Sequence, residues 1–448
     1  MTSTSLAYRA LLRLGWALAP TLARSRPKLA QGLAARDQVL DRLRAWSRAH
    51  RDVSRPLLWM HASSVGEGLQ AEIVLKALRQ AHPEWQIAYT HFSPSAEALA
   101  QRIPADVADY LPGDRRADVD AALDALAPSA LVFCKLDLWP ELATRAARRG
   151  AAVGIIAATV SPVSARSRWP SRALLRPGYR MVSRAGAVSD QDAARLAALG
   201  VPSANIEVTG DPRFDSALEH ARSIRPDDSL LRLGKGGSTL VAGSTWSEDE
   251  QPLLTAFAAV RAARPDVRLI IVPHEPTPEH LARLDGMAAA AGLETPQRLS
   301  DGGEPARLIV VDRVGVLATL YAAGQIAFVG GGFGKAGLHS VLEPAACAVP
   351  VLFGPAWQSS REAGLLLARR AAVVVSVDFP DWLDLDSLTT GGGASPLAAI
   401  WLAMLRNPAH AAAAGRRALE YVEAGVGAAA RNAGLVERLM ASGRVNAR

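Results

Sequence analysis

The sequence predicts an α/β protein of two doubly wound, Rossmann-like domains with ligands in the cleft between them. Three observations carry this reading. Short apolar runs alternate with helical stretches of about a dozen residues, the spacing of parallel strands joined by crossover helices. Small, glycine-rich or basic turns follow the runs, at the strand ends where open α/β sheets bind ligands. The series also breaks at residues 221–238, around Pro226-Asp227-Asp228 and Gly234-Lys235-Gly236-Gly237, and then starts again. A chain of 448 residues is long for a single core, which agrees with two domains.

Taken in order, Leu6–Leu22 reads as an amphipathic helix, interrupted by Arg9 and Arg13 and ended by Pro20. A membrane-spanning helix needs about 20 apolar residues, and this one is shorter and more charged. No small-residue cleavage site follows, so a signal peptide is not expected. The expectation is a helix lying in the bilayer interface, with Trp16 at headgroup depth and its arginines on anionic lipid. Packing on the protein's own surface is the alternative. The strands expected next are Pro56–His61, Trp85–Thr90, Val107–Leu111, Ala130–Cys134, Ala152–Ala157, Gly186–Ser189 and Ile206–Thr209. A helix from about Leu69 to Gln80 follows the first of them. The second series comprises Ser238–Ala242, Val267–Val272, Leu308–Val311, Ile326–Val329, Val349–Phe353 and Ala372–Val377, followed by Ala-, Leu- and Arg-rich helices. The domain limits read as 1–30 for the N-terminal helix, 31–220, a linker at 221–238, 239–430, and a C-terminal helix or tail at 431–448.

Hydrophobic residues make up 49% of the chain and charged residues 21%, which excludes a disordered protein. The net charge of +7 points to an anionic partner. Arginines crowd the first 55 residues without an aromatic–basic RNA-binding motif, which favours a membrane surface over nucleic acid. The two cysteines, Cys134 and Cys347, sit in separate apolar runs and read as buried free thiols. No CxxC or HExxH spacing suggests a metal site.

Two stretches carry the chemistry. After the first strand, Ser63, Ser64, Gly66 and Gly68 surround Glu67 where a helix begins. A carboxylate there complements the helix dipole, but it also faces the ligand crevice and could act as a base. Phe328–Pro355 runs from strand through Gly330, Gly331 and Gly332 to a loop with Lys335, Gly337 and His339, then to Glu343 and the next strand. That layout presents backbone N–H groups to phosphate. Neither half has a GxGxxG turn followed by an acidic residue about 20 positions on, so a dinucleotide dehydrogenase is disfavoured. The acids of Ser247-Glu248-Asp249-Glu250 read as helix caps.

Five blocks in order resemble the 3-deoxy-D-manno-octulosonic acid (Kdo) transferases: His61–Glu67, Phe133–Pro140, Val208–Asp215, Gly243–Glu250 and Phe328–Pro355. The resemblance implies a GT-B fold, an N-terminal acceptor domain, a C-terminal nucleotide-sugar domain, and transfer of Kdo from CMP-Kdo to a phosphorylated lipid A precursor. It implies an inverting reaction with no cofactor or metal, at the cytoplasmic face of the cell inner membrane. Glu67 would be the general base. Ser64, Gly66, Lys135, Arg213, Ser244, Thr245, His274, Gly331, Gly332, Lys335, Gly337, His339 and Glu343 would bind substrate, with Glu343 on the ribose hydroxyls. The chain departs from the family pattern at Lys135, Ala157, Thr159, His274-Glu275 and Ser340-Val341. The alternative reading is a GT-B glycosyltransferase with a UDP-linked donor, which leaves the HASSVGE block unexplained.

Overall fold

The computed structural model describes residues 4–376, 380, 382–383 and 395–445. It divides into two compact units, one running to Ser216 and resuming at Gly427, the other spanning Ala217–Val426. The first contains strands β1 (Leu57–His61), β2 (Gln86–His91), β3 (Val107–Tyr110), β4 (Ala130–Cys134), β5 (Ala152–Ala158), β6 (Val182–Ala187) and β7 (Ile206–Val208). They form one sheet in the order β3-β2-β1-β4-β5-β6-β7, and every pairing is parallel. β1, β2 and β4 are buried at every residue, as strands covered on both faces must be.

The second unit repeats the plan with β8 (Thr239–Thr245), β9 (Arg268–Pro273), β10 (Gln297–Arg298), β11 (Leu308–Val310), β12 (Ile326–Val329), β13 (Val351–Phe353) and β14 (Ala372–Val374). Its order is β10-β11-β9-β8-β12-β13-β14, again all parallel. Val377, expected to end the last strand, lies outside the described residues.

Several boundaries differ from the sequence reading. The strand expected at Gly186–Ser189 is Val182–Ala187, because Ser189 caps the next helix by accepting from the Asp192 N–H. The helix expected from Leu69 starts at Val65, and the one expected to stop at Pro20 runs to Ala23. A proline in the last turn removes one N–H donor without preventing the turn. The linker is partly helical, since Arg213–Ser223 is an α-helix and Ser229–Gly234 a 3₁₀ segment.

The C-terminal segment is not a separate tail. Helix Ala428–Val445 returns to the first unit, where Leu435, Val436, Leu439 and Met440 join Leu58, Met60, Val132 and Ile156 in one buried cluster. Buried Asn432 pins it further: Oδ1 accepts from Thr209 Oγ1 at 3.0 Å and from the Ala157 N–H at 3.3 Å. Leu439 is fully buried, so Leu439→Ala is expected to cost about 2–5 kcal/mol in urea unfolding. A loss below about 0.5 kcal/mol, the range of surface substitutions, would show that this helix does not complete the core.

Candidate active site

In the first sheet the strand order reverses between β1 and β4, and an open α/β sheet binds ligand beyond the ends of such a pair. Beyond β1 the chain turns into helix Val65–Ala81 through a capping box. Ser64 Oγ accepts from the Glu67 N–H at 3.4 Å, and Glu67 Oε2 accepts from the N–H groups of Ser63 (3.0 Å) and Ser64 (3.2 Å). The carboxylate is thereby held in place, while Oε1 has no partner among the described residues. Beyond β4, Asp137 reaches the same turn. Its carboxylate accepts from the Ser63 hydroxyl, lies 3.6 Å from His61 Nε2, and pairs with Arg166 at 2.8 Å. Burial raises the Asp137 carboxyl, but His61 and then Arg166 outweigh that and bring it down to about 2.

Lys135 leaves β4 in the left-handed conformation (φ 58°), half-buried and without a side-chain partner among the described residues. Arg213 is not free. Its Nε and Nη2 donate to Asp211 Oδ2 at 2.9 and 2.6 Å, and buried Asp211 also accepts from Gln70 Nε2 at 2.9 Å.

The second sheet reverses between β8 and β12. Asp249, fully buried in the first turn of helix Ser247–Ala263, ties the two strand ends together. Oδ2 accepts from the N–H groups of Trp246 (2.9 Å) and Gly331 (2.8 Å), and Oδ1 from that of Phe333 (3.3 Å). Glu250 turns inward as well, accepting from Thr245 Oγ1 at 2.9 Å and contacting His280 Nε2 at 2.9 Å. The rings of His274 and His339 lie 4.5 Å apart, with Trp246 4.8 Å from His274. Trp246 Nε1 donates to His339 Nε2 at 3.0 Å. Burial and then the His274 charge push the His339 imidazole down to about 4. Glu343 has no hydrogen-bond partner among the described residues, and burial raises its carboxyl. Lys335 is exposed and likewise unpartnered.

Residues 37–216 match the family described as 3-deoxy-D-manno-octulosonic-acid transferase (kdotransferase). The 3-deoxy-D-manno-octulosonic acid transferase of Chlamydophila psittaci is 31% identical over 68% of this chain and 71% of its own length. That of Bordetella pertussis is 30% identical, over 70% of this chain and 74% of its own. The chain belongs to the Kdo transferase family. Its structure resembles UDP-GlcNAc 2-epimerase from Neisseria meningitidis (TM-score 0.59, 13% identity, 86% of this chain and 99% of that one). It also resembles a glycosyltransferase from Rickettsia africae (TM-score 0.55, 10% identity, 88% of this chain and 99% of that one). The fold is of the GT-B type, as the sequence predicts.

Within this Kdo transferase, the structure revises what several expected residues do. Thr245 is fully buried and its hydroxyl is spent on Glu250, so it does not face a donor; the neighbouring Ser244 holds the left-handed turn (φ 54°). The Gly331 N–H is taken by Asp249, which removes it from the set offered to phosphate. A Cβ on Gly331 would meet the Gly337 carbonyl oxygen at 2.0 Å, and one on Gly332 the Gly354 nitrogen at 2.6 Å. These two glycines are required by loop-on-loop packing. Gly337 is required by its backbone (φ 86°), and nothing crowds Gly66. Gly68 makes room for Leu99 and Tyr89. His274 is fixed by its own N–H, which donates to the Thr245 carbonyl at 3.0 Å.

Sequence reasoning missed Asp137, Arg166 and Trp246 as parts of the site. Asp137 and Trp246 lie inside quoted blocks, but Arg166 is unmarked locally. A carboxyl lowered on folding adds stability above its unfolded pKa of about 3.9 and loses it as pH falls toward the folded value. Asp137→Asn is therefore expected to be less stable than wild type by about 2–3 kcal/mol near neutrality, with the gap shrinking between about pH 5 and 2. Urea midpoints across that range check this; a gap independent of pH would refute the ion-paired assignment.

Proposed function

We propose that this enzyme transfers Kdo from CMP-Kdo to a phosphorylated lipid A precursor at the cytoplasmic face of the inner membrane, with Glu67 as general base. The observation that carries the assignment is the Glu67 carboxylate, anchored through Oε2 at the first switch point with Oε1 unpartnered. An acceptor hydroxyl would give its proton to Oε1 as its oxygen attacks the anomeric carbon of Kdo. The bond from that carbon to the phosphate oxygen breaks, and CMP leaves with the bonding electrons. The second unit would hold the donor. Glu343, desolvated and unpartnered, would accept from the ribose hydroxyls, and Lys335 would pair with the phosphate.

The acceptor is a lipid, and the first unit has a surface suited to one. Helix Leu6–Ala23 is held on the protein by Tyr8, whose hydroxyl donates to Asp114 at 2.7 Å, and by Arg9, which grips Glu141 with two bonds of 3.0 Å. Trp16 faces inward beneath Arg115, not outward as expected from the sequence. Leu11, Leu14, Leu18 and Leu22 remain 46–57% exposed in helical spacing. Beside them is a cavity of about 650 Å³ lined by Leu12, Trp16, Leu33, Phe92, Trp139 and Leu175. The Phe92 N–H donates to the Ser63 carbonyl, which links this wall to the turn that anchors Glu67. The outward leucines would enter the bilayer interface and the cavity would take an acyl chain of the acceptor. Among the described residues no helix is long and apolar enough to cross a membrane.

Purified protein is expected to consume CMP-Kdo, release CMP and add Kdo to a lipid A precursor, as read by product mass. Consumption of UDP-sugars in place of CMP-Kdo would overturn the donor assignment. Glu67→Gln is expected to cut turnover by about 10²–10⁴-fold while CMP affinity stays near wild type; retained turnover would exclude the base role. Replacing Leu11, Leu14 and Leu18 together by Ser is expected to reduce sedimentation with anionic vesicles while leaving the melting temperature within a few degrees of wild type. Unchanged sedimentation would remove this face from membrane contact.

A further inference from the structure

The second unit carries a cavity of about 830 Å³ at the β10 side of its sheet, next to the starts of β9 and β11. The candidate donor groups lie elsewhere, beyond the ends of β8 and β12. Six cationic side chains line the cavity: Arg232, Lys235, Arg268, Arg298, Arg307 and Arg313. Glu304 is the one acidic residue among the lining residues.

The inner arginines are positioned without being neutralised. Buried Arg268 donates to the carbonyls of Leu233, Lys235, Pro305 and Ala306, and Arg307 to those of Gly236 and Asp266. Neither pairs with a carboxylate among the described residues. Carbonyl oxygens satisfy N–H groups but leave the net charge in place, so Arg268 and Arg307 repel each other, and burial together with that repulsion lowers Arg268. Arg298 pairs with Asp285 through Nη2 at 2.6 Å, yet its Nη1 is buried with no hydrogen-bond partner. A buried donor without an acceptor carries a desolvation cost that an oxygen ligand would offset. At the mouth, Arg232, Lys235 and Arg313 are exposed and unpartnered among the described residues. A purely solvated basic face explains these outer three, but it does not explain guanidiniums fixed by carbonyls around a concavity or an orphaned Nη1.

We propose that this cavity binds an anionic, phosphate-bearing ligand, at a site separate from the donor groups of the same unit. The chemistry suits an oligophosphate or the headgroup of an acidic phospholipid, since guanidiniums bind phosphate through paired charge-assisted hydrogen bonds.

The test uses the full chain and a variant in which Arg232, Lys235 and Arg313 are all changed to Ala, since none of these supports a contact within the fold. Inorganic pyrophosphate is titrated calorimetrically into both, and both are sedimented with vesicles of phosphatidylglycerol and of phosphatidylcholine. Loss of pyrophosphate affinity by about tenfold or more, the size of one or more lost charge-assisted bonds, supports a soluble phosphorylated ligand. Loss of phosphatidylglycerol binding alone supports a lipid headgroup. If the triple variant matches wild type in both measurements, the proposal is overturned. It is equally overturned if Lys335→Ala removes the pyrophosphate binding and the triple variant does not, because the anion would then occupy the donor loop.

Discussion

Each unit places a carboxylate at the third position of the helix that follows its first strand, and the turn at each switch point is built around what its own carboxylate holds. Helix N-termini leave N–H groups unsatisfied and carry partial positive charge, so an acid at this position is stabilised on two counts. Asp249 is fully buried and uses both oxygens, gathering three backbone N–H groups from the ends of β8 and β12. Glu67 uses one oxygen, on the two N–H groups of its own turn. The same station thus serves as a clamp in one unit and as an anchored carboxylate with one oxygen unpartnered among the described residues in the other. Pulling the glycine-rich loop away from Asp249 would leave a buried charge short of donors, a state that costs several kcal/mol.

This constraint changes the meaning of the three-glycine run. Read locally, GGG after a strand is a phosphate loop. In the folded protein, Gly331 spends its N–H on Asp249, and Gly332 lies so close to Gly354 that neither has space for a side chain. The glycines let two loops touch. Glu343, Lys335 and the His339 ring remain available.

The legible part of the fold was its periodicity. Runs buried on both faces stand out as apolar, and the helices between them impose parallel pairing, so both sheets could be drawn in outline. The misread boundaries are those where a polar residue sits inside a strand, as Arg184 does in β6, or where capping chemistry starts a helix ahead of its apolar pattern, as Ser64 and Glu67 do. The Glu67 position was legible because its partners are its neighbours. The Asp249–Gly331 bond joins residues 82 apart and the Gln70–Asp211 bond residues 141 apart. The return of helix Ala428–Val445 to the first unit is of the same kind. Pairing at such range is decided by topology, which no local pattern displays.

The charge of the chain takes on a different distribution once these pairs are known. Several basic residues are committed to the protein: Arg213, expected to bind substrate, to Asp211, Arg9, expected on anionic lipid, to Glu141, and Arg166 to Asp137. His339 adds no cation either. Trp246 Nε1 can only donate, so His339 Nε2 is the acceptor and Nδ1 carries the proton of a neutral ring. With its imidazole pushed down to about 4, the ring stays neutral near pH 7 and has one N–H left to donate. The switch points therefore present fixed donors, unpartnered carboxylate oxygens on Glu67 and Glu343, and the lysines Lys135 and Lys335 without side-chain partners among the described residues. A positioned, desolvated hydrogen bond discriminates between ligands that differ by one hydroxyl, whereas diffuse positive charge attracts every anion alike.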